Sequence, residues 1–285
     1  MLCNLCPNNC NVNRSEKKGF CGETNTVRIA KYYLHPYEEP VISGENGSGT
    51  VFFCGCSLKC VFCQNYELSR SMRGTEITVS RLAEIFKELE VAGAHNINLV
   101  TATHFIPEII EAFKIYKPKI PVVYNTHSYE NLSALSEIEP YVDVFLPDLK
   151  FFSTAVSSRY TGKQDYFSVA SEAVKFMMEK KKPVIENGLM KSGVIVRHLI
   201  LPLNKQDSKK IVEWFLQNRK NGAYFSLMSQ YVPYGNLEKT PELKRKITQK
   251  EYADVLDVIL SSDFDDCFIQ SEDSQSVDFI PKWDM

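Results

Sequence analysis

The stretch Val51–Asn65, VFFCGCSLKCVFCQN, decides the fold, because a short apolar run ends in three closely spaced thiols. Cys56, Cys60 and Cys63 stand in the pattern C-x3-C-x2-C, three cysteines within eight residues. Four-iron clusters are usually held by four cysteines, one on each iron. A loop with three leaves one iron without a protein ligand, and open positions of that kind belong to metal sites that bind a reactant. Two other readings compete. Close cysteines also build zinc knuckles, and a pair can be a thioredoxin-like redox couple. Zinc ribbons use C-x2-C pairs, so the x3-then-x2 spacing with an aromatic before the last cysteine favours the cluster.

At these residues the chain resembles the radical S-adenosylmethionine (radical SAM) enzymes. In that superfamily the open iron takes the amino and carboxylate groups of SAM, and an electron from the cluster yields a 5'-deoxyadenosyl radical. Phe62, just before the third cysteine, matches the position that lies against the adenine. The resemblance implies a 4Fe-4S cluster on Cys56, Cys60 and Cys63, SAM as cofactor, and a reducing partner such as flavodoxin or ferredoxin.

The remaining sequence must then supply a barrel. With 285 residues, the chain is long enough for a single α/β barrel with a substantial core. Its 33 basic and 35 acidic residues give no field for nucleic acid or an anionic membrane. No segment approaches the ~18 apolar residues of a membrane span, the opening MLCNLCPNNC lacks a leader pattern, and a cytoplasmic protein is expected. Nine cysteines in a reducing compartment point to metal or catalytic use.

Cys3, Cys6, Cys10 and Cys21 form C-x2-C-x3-C-x10-C, with Pro7, Gly19 and Gly22 allowing tight turns. Four thiolates close a site, either a structural zinc or an auxiliary iron-sulfur cluster. The surrounding NNCNVNRSEKKG has too little apolar content to fold unaided, so metal supplies the folding energy. Residues 1–49 are expected to form this cysteine-rich, metal-binding extension and a lead-in, and residues 50–285 the barrel. Within the lead-in, His35, Glu38 and Glu39 read as solvated turn positions near a proline.

From Thr50 onward strand and helix patterns alternate. Strands are expected at 50–53, 97–101, 121–124, 142–146, 194–201 and 223–228, and a short one at 268–270. Helices are expected after Ser80 as N-cap, near Pro107, and over 130–138, 166–180 and 208–219. A final helix opens with Thr248 and Glu251 in capping-box spacing. Six strand–helix units imply an α/β fold with a parallel sheet curled into a partial (β/α)6 TIM-like barrel. Chemistry then gathers at the carboxyl ends of the strands.

Thr101, Ala102, Thr103 and His104 follow the second strand, where much of the superfamily has a Gly-Gly-Glu-like stretch for the SAM amino group. Thr101, Thr103 or His104 are expected to take that contact, with helix capping the competing role for Thr103. Asn125, Thr126, His127 and Ser128 follow the third strand, and Asp148 and Lys150 the fourth. The Asp-Leu-Lys of the latter narrows the resemblance to the glycyl-radical-enzyme activating enzymes, typified by pyruvate formate-lyase activating enzyme. In that family the acid and the lysine contact SAM. Arg197, in VIVRHLILP, matches an arginine on the SAM carboxylate, and His198 falls on the opposite strand face. Asn125 stands where the family has an aspartate beside a monovalent cation.

GCSLKCVFCQN, NTHSY, PDLKF, RYTGKQDYF, SLMSQY and FIPKWD together look like the activating-enzyme homologue branch. The implied activity is oxidoreductase chemistry: reductive SAM cleavage and hydrogen abstraction, with a glycyl radical protein as one candidate substrate. A peptide or small molecule is the alternative substrate; a two-cluster electron carrier and a zinc-structured interaction protein are the non-catalytic alternatives. Cys54 is expected to pack at the strand end, and Cys267 to be a buried small apolar residue.

Overall fold

A computed structural model describes residues 2–70, 73–270, 275 and 276; the FIPKWD stretch lies outside the described residues. Six parallel strands run side by side as the alternating pattern predicts: β2 (Ser48–Phe53), β4 (Ile97–Val100), β5 (Val122–Thr126), β6 (Val144–Pro147), β8 (Leu189–Leu199) and β9 (Tyr224–Met228). β10 (Cys267–Ile269) adds to β9 in parallel. The helices α3 (Val79–Val91), α4 (Ile106–Ile115), α5 (Leu132–Ile138), α7 (Tyr166–Lys180), α8 (Lys205–Asn218) and α9 (Gln249–Leu260) bury their apolar stripes in the main core. This is the partial TIM-like barrel expected from the chain.

Local corrections have simple causes. The helix expected after Ser80 begins earlier, because Thr78 is the cap and its hydroxyl accepts from the Arg81 N–H. The lead-in contains a strand and a short helix that the sequence reading did not assign. Val27–His35, VRIAKYYLH, is β1, paired antiparallel with β2, and β3 (Thr75–Ile77) pairs with β1 in turn. Its β-branched and aromatic content was a strand signal. The sheet order is therefore β10-β9-β8-β6-β5-β4-β2-β1-β3, with β7 (Val184–Glu186) as an antiparallel companion of β8.

After β1 the chain turns under the barrel as the short helix α1 (Pro40–Ser43), with Pro40 at a position that needs no N–H. Ile42 enters the lower barrel, packing with Val123, Val144, Leu146, Met190 and Ile195. Asn96 donates to the Ile42 carbonyl at 2.7 Å and holds the segment there. The barrel thus has a floor, and the residues just before α1 point up into its interior.

Candidate active site

A cavity of about 500 Å³ opens above that floor, lined by Cys56, Cys60, Cys63 and Phe62 and by Asp148, Lys150, Arg197 and Asn125. The loop after β2 carries the three thiols. Its turn needs Gly55 at φ 81°, where a Cβ would lie 2.9 Å from the Cys21 carbonyl oxygen. Lys59, Thr101 and Ser128 all have left-handed φ near the strand ends, a conformation that side-chain-bearing residues keep only where surrounding structure enforces it.

The thiols fit a cluster. Burial pushes Cys56 up to about 11 and raises Cys60 and Cys63 as well, so metal binding must displace protons. Donors for sulfur are in place: the Leu58 and Lys59 N–H groups lie 3.4 Å from Cys56 Sγ. The Ser69 side chain and Asn65 backbone serve Cys63, and the Lys150 charge favours all three thiolates. Phe62 sits edge-on to Phe151, Tyr160 and Tyr231, an aromatic wall at the cavity side.

The charged residues form one network. Arg197 donates from Nε to Asp148 at 2.8 Å, from one terminal nitrogen to Glu38 at 3.0 Å and from the other to Asn125 at 2.7 Å. Three of its five N–H groups are engaged in these bonds. Lys150 donates to Asp148 at 2.6 Å. Burial works to raise the Asp148 carboxyl, but Arg197 and Lys150 outweigh it and hold it below its usual range. His198 faces away as alternation predicts, its ring bonded to the Leu149 carbonyl.

Glu38 and Glu39 are not solvated turn residues. Glu38 accepts from Asn98 at 3.0 Å and from Asn125 at 3.1 Å, besides Arg197. Glu39 is 7% exposed and lines the cavity, and burial pushes its carboxyl up to about 7 despite the nearby Arg197. His35 is also buried, its ring bonded to the Tyr33 hydroxyl. Two adjacent acids before a proline resemble any turn, and only recognition of β1 would have sent them inward.

Of the residues replacing a Gly-Gly-Glu-like stretch, the cavity takes only Thr101. Thr103 is spent on Glu130 at 2.7 Å and caps no helix; α4 is preceded by Phe105. The His104 ring meets the Cys54 carbonyl, and burial drives its pKa down to about 3. His127 lines the cavity, its ring bonding the Ser57 hydroxyl at 2.9 Å. Cys54 packs at the strand end as expected, with its Sγ on the Arg73 carbonyl. Cys267 departs from expectation: it is only partly buried and lines the cavity.

The N-terminal cysteines gather in a small lobe. Gly19 packs against both Cys10 and Cys21, a Cβ there lying 3.6 and 3.5 Å from their sulfurs. Cys21 is raised chiefly by burial and further by Cys3 and Cys10, and burial takes Cys6 to about 11. Among the described residues no three Cys, His, Asp or Glu side chains converge on a single ion; the thiolates of a four-iron cluster bind separate irons. No described helix is long and apolar enough to cross a membrane.

The radical SAM superfamily model matches residues 50–215, more than half of the chain, and the chain belongs to that superfamily. Membership implies the 4Fe-4S cluster and SAM for which Cys56, Cys60, Cys63 and the charged cavity are suited. An uncharacterized protein of Methanocaldococcus jannaschii is 29% identical over 266 residues, 90% of this chain and 73% of the relative. Among solved structures, Streptococcus suis SuiB bound to its precursor peptide SuiA superposes with a TM-score of 0.52 at 12% identity. That match covers 76% of this chain and 46% of SuiB. SuiB bound to S-adenosylmethionine gives 0.51, again at 12%, over 76% and 48%. The chain spans about half the length of SuiB, and the likeness is one of fold.

Proposed function

We propose that this protein is a radical SAM enzyme of the activating-enzyme branch, whose substrate is a glycine Cα–H on a partner glycyl radical protein. The observation that carries the reading is the convergence of Asp148, Lys150 and Arg197 with the three loop thiols and Phe62 around one cavity. The bound cluster and SAM supply the electron and the hydrogen-abstracting radical. The chain's own residues bind and orient. Arg197 offers its guanidinium to a carboxylate, Lys150 donates to a carboxylate or to ribose oxygens, Asp148 accepts from hydroxyl or ammonium groups, and Phe62 gives an apolar face to the adenine. Thr101 is the candidate for the amino group, with Asn125 fixed between Glu38 and Arg197. Cys3, Cys6, Cys10 and Cys21 hold a second metal centre in this reading, in an extension that precedes β1, while β1 and α1 of the expected 1–49 unit belong to the sheet and the barrel floor.

Anaerobic reconstitution tests the proposal. Reduction in the presence of SAM is expected to give 5'-deoxyadenosine, and changing Cys56, Cys60 and Cys63 together to alanine is expected to abolish it. Incubation with candidate glycyl radical proteins is expected to leave a stable radical in one of them by electron paramagnetic resonance. Deoxyadenosine formation with no protein radical, but with turnover of a peptide or small molecule, would reassign the substrate while keeping the chemistry.

A further inference from the structure

The sheet does not close into a full ring: among the described strands β10 ends the order on one side and β1 with β3 on the other. Residues from both ends nevertheless line the same cavity. His35, Tyr37 and Glu39 come from the end of β1 and the turn after it, and Cys267, Phe268 and Ile269 from β10. Tyr37 is 56% and Ile269 48% exposed, so this edge of the cavity reaches the surface of the described residues.

Three acids, Glu38, Glu39 and Asp148, line the cavity against two cations, Lys150 and Arg197. Asp148 pairs with both cations and Glu38 with Arg197. Glu39 is the surplus. It forms no ion pair among the described residues, Arg197 acts on it without pairing, and Glu38 and Asp148 oppose its charge. The Ser226 hydroxyl favours the carboxylate, but Ser226 Oγ makes no ordinary hydrogen bond. A buried carboxyl without a partner is costly, and one that faces a cavity is suited to a partner that arrives with a ligand.

Aromatic rings stand at the same edge. His35 lies edge-on to Tyr37 at 5.8 Å and to Phe52 at 6.0 Å, and Phe268 stacks on Tyr224 at 5.5 Å. Tyr37, Phe52 and Phe268 all line the cavity. Ring faces attract cations, and an alkylammonium is a compact point charge that needs one carboxylate and accepts rings around it.

We propose that this edge of the cavity is a subsite for an alkylammonium group of the substrate, held by the Glu39 carboxylate and flanked by Tyr37, Phe52 and Phe268. The inference rests on the reading of the cavity as a radical SAM site and adds one property of the substrate: a positively charged nitrogen, on a lysine side chain of a partner protein or on a free amine.

Isothermal titration calorimetry with the anaerobically reconstituted enzyme and SAM tests this. n-Butylammonium chloride is expected to bind the wild type, and n-butanol to bind at least about tenfold more weakly, the size of one charge-assisted contact. Glu39→Gln is expected to lose about that factor for n-butylammonium and nothing for n-butanol. Burial holds the Glu39 carboxyl at about 7, and an ammonium beside it favours the ionised form. Binding near neutral pH is therefore expected to release a fraction of a proton from the wild type and none from Glu39→Gln. The groups facing Glu39, namely Glu38, Arg197, Asp148 and Cys267, are the same in both proteins. Tyr37→Ala, at an exposed position, is expected to weaken n-butylammonium about threefold, and it keeps the test open should Glu39→Gln fail to fold. Equal affinity for n-butylammonium in wild type and variants, or no binding to the wild type, would overturn the subsite. A Glu39→Gln enzyme whose cluster spectrum no longer responds to SAM would overturn it as well, assigning the carboxyl to the cofactor. A wild type whose cluster ignores SAM would instead sink the radical SAM reading, while amine binding repeated without SAM is read independently. Tighter binding of a blocked lysine tripeptide than of n-butylammonium places the ammonium on a partner protein, and the reverse places it on a free amine.

Discussion

Glu39 shows most plainly what placing an acid inside the barrel entails. Its carboxyl is pushed by burial from 4.5 up to about 7, so the folded chain holds that proton more tightly than the unfolded one. The resulting stability is complete below pH 4.5 and is lost as pH rises through 7, a change of about 3 kcal/mol. Glu39→Gln is expected to be less sensitive to pH by that amount when urea unfolding is compared at pH 5 and pH 8. Arg197, Glu38 and Asp148 face the position in both proteins, so their contributions cancel in the comparison. Equal pH dependence in the two proteins would contradict the assignment. The neighbouring network was half legible: Asp148 and Lys150 follow from a strand end and Arg197 from the family resemblance, whereas Glu38, which bonds Arg197, looks in the sequence like a surface acid.

Among the elements, α9 and α1 contrast in how their contributions can be read. Thr248 and Glu251 close a reciprocal capping box, with the Glu251 N–H on Thr248 Oγ1 at 3.1 Å and the Thr248 N–H on Glu251 at 2.8 Å. Spacing alone gives this away, since both partners lie on one turn. Thr248→Ala is expected to cost about 1 kcal/mol and lower the melting temperature by roughly 2–4 °C. Ile42, in a four-residue helix with no periodicity to detect, is 1% exposed beneath the barrel. Ile42→Ala is expected to cost about 2–5 kcal/mol, the larger loss by calorimetry despite the weaker sequence signal. Hydrophobic periodicity needs length, and α1 is too short to have any.

At the scale of the molecule, the barrel and its cluster loop were legible because βα units are local in sequence. The lobe's attachment was not, because its bonds span long separations: Asn8 reaches Ser57, Arg14 reaches the His104 carbonyl, and Asn131 reaches Asn4. Nothing in a cysteine spacing says which face it docks on. Asn8→Ala removes the side chain bonded to Cys6, Ser57 and Lys163. Faster limited proteolysis within residues 2–26, with barrel melting unchanged, is the expected outcome; a barrel that melts earlier would mean that the lobe supports the whole fold.

The floor beneath the barrel has a consequence for the order of assembly. Glu38 and Arg197 are 159 positions apart, and contacts of such separation form late because their loop entropy must be met first. Synthesis delivers the lead-in early and β8 much later. The lead-in therefore waits, its glutamates without their cation, until β8 has left the ribosome. The newborn protein is secured from its far end backward, and its four leading thiols meet the cell before the barrel that will shelter them exists.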